Sequence, residues 1–229
     1  MQCLQLTRGE PPATFGSIFS NNSWDAIIAA CQSGSVPDSW AVGDSKMMTI
    51  NGADYQIDII GKNHDTYTAG GTAPLTFQLH DCYTDTKQMN SSDTNVGGWT
   101  SCAMRSTHLP AILALMPTEV QTAIREVNKL TSAGNASATI NTTADKLFLL
   151  SEIEIFGSTK YSATGEGTQY AYYKVSGSSI KNVNGSAREW WERSPVHFSN
   201  AAFCSVFKTG INNFSQANYY YNVAFGFCF

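Results

Sequence analysis

The chain has 229 residues, 42% of them apolar and only 14% charged, with a net charge of −4. That length can bury a full core in one domain, while the acidic balance and the lack of a Lys/Arg cluster argue against a nucleic-acid partner. No window approaches the roughly 20 consecutive apolar residues of a membrane span, so direct membrane insertion is not expected either. The start, Met1 to Glu10, lacks the basic run and apolar stretch of a secretory leader. The expectation is therefore a chain made in the cytoplasm without a signal peptide of its own. Asn, Ser, Thr, Gly and Tyr supply the polarity in place of charge, a surface that binds by contact more than by long-range steering.

Residues 1–20 read as a tail or the remnant of a connection, with Pro11-Pro12 and little pattern, and 21–229 as a single domain. Trp24, Ile27, Ile28 and Cys31 have helical spacing, with Ser23 or Asn22 as cap and Gly34 as stop. A hairpin follows: strands 46–50 and 53–60 flank Asn51-Gly52, a pair that readily takes positive φ. Leu75 to Leu79 is a further short strand. A helical segment in two parts is predicted from Thr107 to Leu130, with Pro110 and Pro117 near the two starts and Gly134 as terminator. Val120, Ala123, Ile124, Val127 and Leu130 form its apolar stripe. Residues 131–145 read as a loop, 146–156 as a strand closed by Gly157, and the Gly/Ser/Tyr-rich stretch to Ala187 as a connection. Three short strands complete the chain, at 189–193, 203–208 and 223–229. With no βαβ alternation, the predicted class is α+β: two helical elements packed on short, mostly antiparallel strands.

The last forty residues hold 12 of the chain's 27 aromatic residues but only three charges, Glu192, Arg193 and Lys208. Trp190, Phe203, Val206, Phe225 and Phe227 fit buried strands. The stretch from Ile211 to Asn222 has no strand or helix period, so it reads as an irregular loop, and such a loop is hard to bury because its backbone would lose water. At least some of Phe214, Tyr219, Tyr220 and Tyr221 are therefore expected to face solvent. Tyr supplies contact area at low entropic cost and Asn and Ser adapt their hydrogen bonds, the composition of a binding surface; the competing reading is local packing that holds the loop.

Motifs for chemistry are weak. His64-Asp65, His80-Asp81-Cys82 and His108 supply metal-ligand residue types but no compact spacing, and such residues after a strand more often bond backbone. No metal and no cofactor is expected. Glu152 and Glu154, two apart on the predicted strand, share a face; they fit an acid–base pair for a glycoside, or equally a salt-bridged face with Arg193 or Arg188 as partner. Gly165-Glu-Gly167 is too sparse for a phosphate loop. The chain is read as a binding protein, not an enzyme; a glycan-active hydrolase using Glu152, Glu154 or Glu166 and a structural tail component are the alternatives. The six cysteines are scattered and read as small buried residues; Cys204 and Cys228 lie in two core strands, where a disulfide stays open.

The segments Trp190-Trp-Glu-Arg-Ser-Pro195, Phe203-Cys-Ser-Val206, Gly210, Ala217 and Val223-Ala-Phe-Gly-Phe-Cys-Phe229 resemble a family of uncharacterised domains found in phages and gut bacteria. So do Asp58-Ile-Ile-Gly-Lys-Asn-His-Asp65, Leu75-Thr-Phe-Gln-Leu-His-Asp81, Gly97-Gly-Trp99, Leu109-Pro110 and Leu149-Leu-Ser-Glu-Ile-Glu-Ile-Phe-Gly157. The C-terminal pattern is similar to the variable proteins of diversity-generating retroelements, in which a reverse transcriptase rewrites adenines at the 3′ end of a gene. The resemblance implies a C-type lectin-like fold that displays its variable residues as a receptor-binding surface. Those residues would be Val196, His197, Phe198, Ser199, Ala202, Ser205, Phe207, Ile211, Asn213, Phe214, Gln216, Asn218, Tyr219, Tyr220, Tyr221 and Asn222. The implied partner is a surface protein or glycan of a host or neighbouring cell, met from a virion or cell surface, with a homo-oligomer or virion assembly left open.

Overall fold

The computed structural model describes residues 15–175 and 178–229. Residues 1–14, with Cys3 and Pro11-Pro12, lie outside the described residues. The domain begins earlier than the expected residue 21: Phe19 is buried in the core, and Phe15 packs on Trp40 with ring centroids 6.4 Å apart.

Helix α1, Trp24–Ser33, is capped by Ser23, whose Oγ accepts from Ala26 N–H at 3.2 Å, and ends at Gly34 with φ 67°. Strands β1, Ser45–Ile50, and β2, Ala53–Lys62, close the hairpin over Asn51 (φ 51°) and Gly52 (φ 78°). Strands β3, Leu75–Leu79, and β4, Tyr83–Lys87, follow. Next come the short helix α2, Gly98–Ser101, a single π-type turn over Met104–His108, and helices α3, Leu109–Leu113, and α4, Thr118–Ala123.

The helix predicted to reach Leu130 stops at Ala123. Arg125 N–H donates to the Cys228 carbonyl at 3.0 Å, and strand β5, Val127–Ser132, pairs with strand β6, Ile140–Asp145, through the stretch read as loop. Val120, Ala123, Ile124 and Val127 are buried, but Leu130 points out of strand β5. Gly134, expected to stop a helix, instead turns between the two strands at φ 71°; a Cβ there would sit 1.8 Å from the Asn95 carbonyl.

The strand predicted for 146–156 also divides. Ser151 and Glu154 form a capping box, so Glu152–Phe156 is a helix, α5, and Gly157 caps it at φ 71°. Glu152 and Glu154 therefore sit in a buried first helical turn and not on one strand face. Helix α6, Ala171–Val175, precedes the small hairpin of β7, Lys181–Val183, and β8, Ser186–Arg188.

The C-terminal part contains β9, Trp190–Pro195, β10, Ala202–Val206, β11, Asn212–Gln216, β12, Tyr221–Val223, and β13, Gly226–Cys228. The expected last strand is thus two strands, and the 211–222 stretch is a strand, a turn and the start of another. Beside the two-stranded β5-β6 and β7-β8 sheets, a four-stranded sheet has the order β1-β2-β3-β13 and a five-stranded sheet the order β11-β10-β9-β12-β4. Strands β12 and β13 enter different sheets, so the last residues tie the two together. The architecture is mixed α+β with mostly antiparallel sheets; the β12–β9 contact is parallel. Among the described residues, no helix is long and apolar enough to cross a membrane.

A buried ionic network crosses the interior. The Arg193 guanidinium on β9 donates to both Glu154 oxygens at 2.5 and 2.8 Å, to Thr131 Oγ1 at 3.0 Å and to the Leu149 and Glu166 carbonyls. Lys129 Nζ on β5 reaches Glu154 Oε1 at 2.9 Å, Asp65 Oδ1 at 2.8 Å and Tyr170 OH at 2.9 Å. Removing one partner of such a set leaves a buried charge uncompensated. Arg193→Met is expected to lower unfolding stability by about 3–5 kcal/mol, measured by chemical denaturation; a loss near zero would show that the network does not hold β9 in place.

Candidate functional site

Strands β9 to β12 form the rim to which the binding residues were assigned. In β10 and β11 the register is Ala202 with Gln216, Phe203 with Ser215, Cys204 with Phe214, Ser205 with Asn213 and Val206 with Asn212. Alternation along these strands splits the assigned positions between two faces.

On one face, Phe214 stacks edge-on against Tyr161 at 4.9 Å and Phe198 at 5.7 Å, and Phe198 meets His197 at 5.0 Å. On the other face, Asn213 Nδ2 donates to Glu189 Oε1 at 2.6 Å, Ser205 Oγ donates to the same oxygen at 3.0 Å, and the Ser215 and Tyr221 hydroxyls lie 2.7 Å apart. The Tyr221 ring packs 4.8 Å from Trp191 and 6.4 Å from Tyr219.

The assigned residues differ in exposure. Phe198 (55%), Ile211 (60%), Phe214 (37%), Tyr219 (50%) and Tyr220 (63%) stand in solvent, with His197 and Gln216 also exposed. Ser199, Phe207, Asn213, Asn218 and Tyr221 are half-buried. Val196, Ala202, Ser205 and Asn222 are buried and are not displayed. Val196 and Ala202 belong to a small second core with Cys204 and Tyr161, Ser205 is committed to Glu189, and Asn222 Nδ2 donates to the Tyr83 carbonyl at 3.1 Å.

Sequence reading missed the residues that hold this rim. Asn95 is fully buried: its Nδ2 donates to the Ser199 and Ala202 carbonyls at 2.9 and 2.7 Å, and its Oδ1 accepts from Asn135 N–H at 2.8 Å. Asn90 N–H donates to the Ala217 carbonyl at 3.0 Å, and Gln88 Nε2 donates to the Asn218 carbonyl. The Glu152 carboxylate accepts from the N–H groups of Lys160, Tyr161 and Ser162 and from Asn212 Nδ2 at 3.0 Å, which fixes the loop that carries Tyr161. Of these residues the sequence singles out only Glu152, as a candidate acid and not as a support; Asn95, Asn90 and Gln88 carry no local signal.

The metal-ligand candidates are engaged separately. His64 stacks on Tyr170 at 4.0 Å, Asp65 serves Lys129 and Thr76, and His80 Nδ1 lies 2.6 Å from Asp58 Oδ2. Asp81 accepts from Asn182 N–H at 2.7 Å, and Cys82 is buried. Among the described residues, no three His, Cys, Asp or Glu side chains group to hold a metal ion. Cys204 and Cys228 are free buried thiols, and burial pushes both well above the ordinary thiol value.

Buried carboxyls give the domain a pH signature. Burial pushes Glu166 up from 4.5 to about 7, against hydrogen bonds from Ser194 and Ser132. Burial, with the Glu152 and Glu166 charges, pushes Glu192 well above its usual range; among the described residues neither of its oxygens has a partner. For Asp65 and Glu154 burial acts upward too, but Lys129 on the first, and Arg193 with Lys129 on the second, hold them below the usual range. Raised groups stabilise fully below the unfolded value and lose that contribution as pH rises through the folded one; lowered groups do the reverse. Stability from Glu166 should therefore fall between pH 4.5 and about 7. Glu166→Gln, whose amide oxygen can still accept from Ser132 N–H while its Nε2 donates to Ser194 Oγ, should flatten that part of a denaturation profile; an unchanged slope would refute the assignment.

No curated protein and no solved structure is a significant match to the chain. Residues 74–225, well over half of the chain and inclusive of the rim up to Phe225, match the family described as a domain of unknown function, DUF6273. The chain belongs to that family.

Proposed function

We propose that this chain is a ligand-binding display protein, with the β9–β12 rim and its flanking rings as the contact surface. The observation that carries the reading is the division of labour at the rim. Phe198, Phe214, Tyr219 and Tyr220 are exposed, while the backbone beneath them is held by Asn95, Asn90, Gln88 and Glu152. Large rings at low entropic cost, interspersed with Asn, Gln and Ser, suit recognition of a surface protein or glycan of a host or neighbouring cell. Exposed apolar area of this kind on an otherwise well-packed domain marks an interaction site.

The finer reading is that the scaffold is C-type lectin-like and the rim a diversified region of the retroelement type, carried on a virion or cell surface. It draws on the C-terminal sequence pattern, narrowed to the positions that are exposed or half-buried: His197, Phe198, Ser199, Phe207, Ile211, Asn213, Phe214, Gln216, Asn218, Tyr219, Tyr220 and Tyr221. The hydrolase alternative gains nothing from the geometry, because Glu152, Glu154 and Glu166 are buried and spend their oxygens on backbone, Arg193 and Ser194. A structural tail component would need the same rim covered by another subunit.

The test compares the wild type with a variant in which Phe198, Phe214, Tyr219 and Tyr220 are Ala, on a glycan array and on intact bacterial cells. Binding to at least one of these, lost in the variant at an unchanged melting temperature, is expected. Unfolding of the variant would make the rings structural, and equal binding by both proteins would move the site elsewhere.

A further inference from the structure

Strand β11 is the outermost strand of the five-stranded sheet, and among the described residues no strand lies beyond it. On its inner side, Phe207 N–H donates to the Ile211 carbonyl and Ala217 N–H to the Ala201 carbonyl, both at 2.9 Å. These two bonds set the phase of the ladder. Asn213 and Ser215 direct their backbone groups to β10, while Asn212 and Phe214 turn theirs outward. The edge lacks the usual protection. Residues 211–216 contain no Lys, no Pro and no other charge, the β10–β11 register runs without a bulge, and no charged residue occurs from Thr209 to Phe229.

We propose that β11 is a self-association edge, pairing antiparallel with β11 of a second copy about a two-fold axis at Asn213. Centred there, Asn212 of one copy exchanges N–H···O=C bonds with Phe214 of the other, and the symmetry repeats the exchange. A second copy fits because the segment is complementary to itself: the outward groups are two residues apart, and no like charges meet. Exposed Ile211 lies beside Ser215 of the second copy, gaining apolar cover. A two-fold perpendicular to the sheet keeps each side chain on its own face, so the Tyr161, Phe198 and Phe214 clusters of both copies join on one side of a continuous sheet. Two copies would then present one doubled aromatic surface, which raises avidity without a new contact to ligand.

The edge dimer stands apart from the binding reading, because its probe is the protein itself. Sedimentation equilibrium over a wide concentration range should give a reversible monomer–dimer transition. Phe214→Pro removes one outward N–H but no bond to β10, so it should shift the transition to much higher concentration with an unchanged circular dichroism spectrum. Asn213 faces its own copy in a non-hydrogen-bonded pair, where Cα atoms lie about 4.5 Å apart and a disulfide fits. Asn213→Cys should therefore cross-link into a dimer on mild oxidation, while Ser215→Cys, out of register with itself, should not. A monomer at all concentrations, a dimer indifferent to a folded Phe214→Pro, or equal cross-linking by the two cysteine variants would overturn the proposal. Should Phe214→Pro unfold, the cysteine pair alone decides.

Discussion

The bidentate contact between Arg193 and Glu154 is the constraint on which the rest of the domain is arranged. It joins β9 to the first turn of α5, and through Lys129 it reaches β5 and Asp65, the residue that also accepts from Thr76 on β3. Charges buried this deeply are costly unless every one is paired, so the network admits a single register of these elements. Strand β9 then seats β10 and β12 on either side, and the rim inherits its position from that seat.

Around the rim the same logic recurs with neutral donors and acceptors. Asn95 holds the Ser199 carbonyl of the β9–β10 turn and the Ala202 carbonyl at the start of β10, and its main chain lies against Gly134, where no side chain fits. Glu152 gathers three successive N–H groups of the Tyr161 loop and the Asn212 amide. A backbone tied down by buried partners from outside the segment does not need its own side chains for shape. That frees the outward positions for contact, and it explains how so many rings can stand at the surface of a stable domain.

The elements with local signatures were legible in the sequence. The Asn51-Gly52 hairpin and the Ser23-capped helix α1 need only turn chemistry and spacing, and both formed as read. The failures came where an apolar pattern fits two periods. Val120, Ala123, Ile124 and Val127 satisfy a helix, but the chain leaves it at Ile124 because Arg125 bonds the C-terminal strand, a partner more than a hundred residues away. In 146–156 the β-like run concealed Ser151 and Glu154, a capping box readable by spacing alone. The aromatic rim was legible by composition, whereas its burial pattern was not. Taking 211–222 as irregular hid the alternation of β11, and Val196, Ala202, Ser205 and Asn222 turned inward for reasons of tertiary contact. Asn95 and Glu152 carried no local mark of their role, since their partners lie far along the chain.

The claim at the centre is that the rim's backbone is fixed independently of its outward rings. Saturation mutagenesis of the rim, scored for folded protein by resistance to protease, measures this directly. Positions 198, 214, 219 and 220 should accept nearly every side chain except Pro, while 196, 202, 205 and 222 should accept few. Equal intolerance at both sets would mean that the rings themselves hold the fold, and the separation of scaffold from contact surface would be wrong.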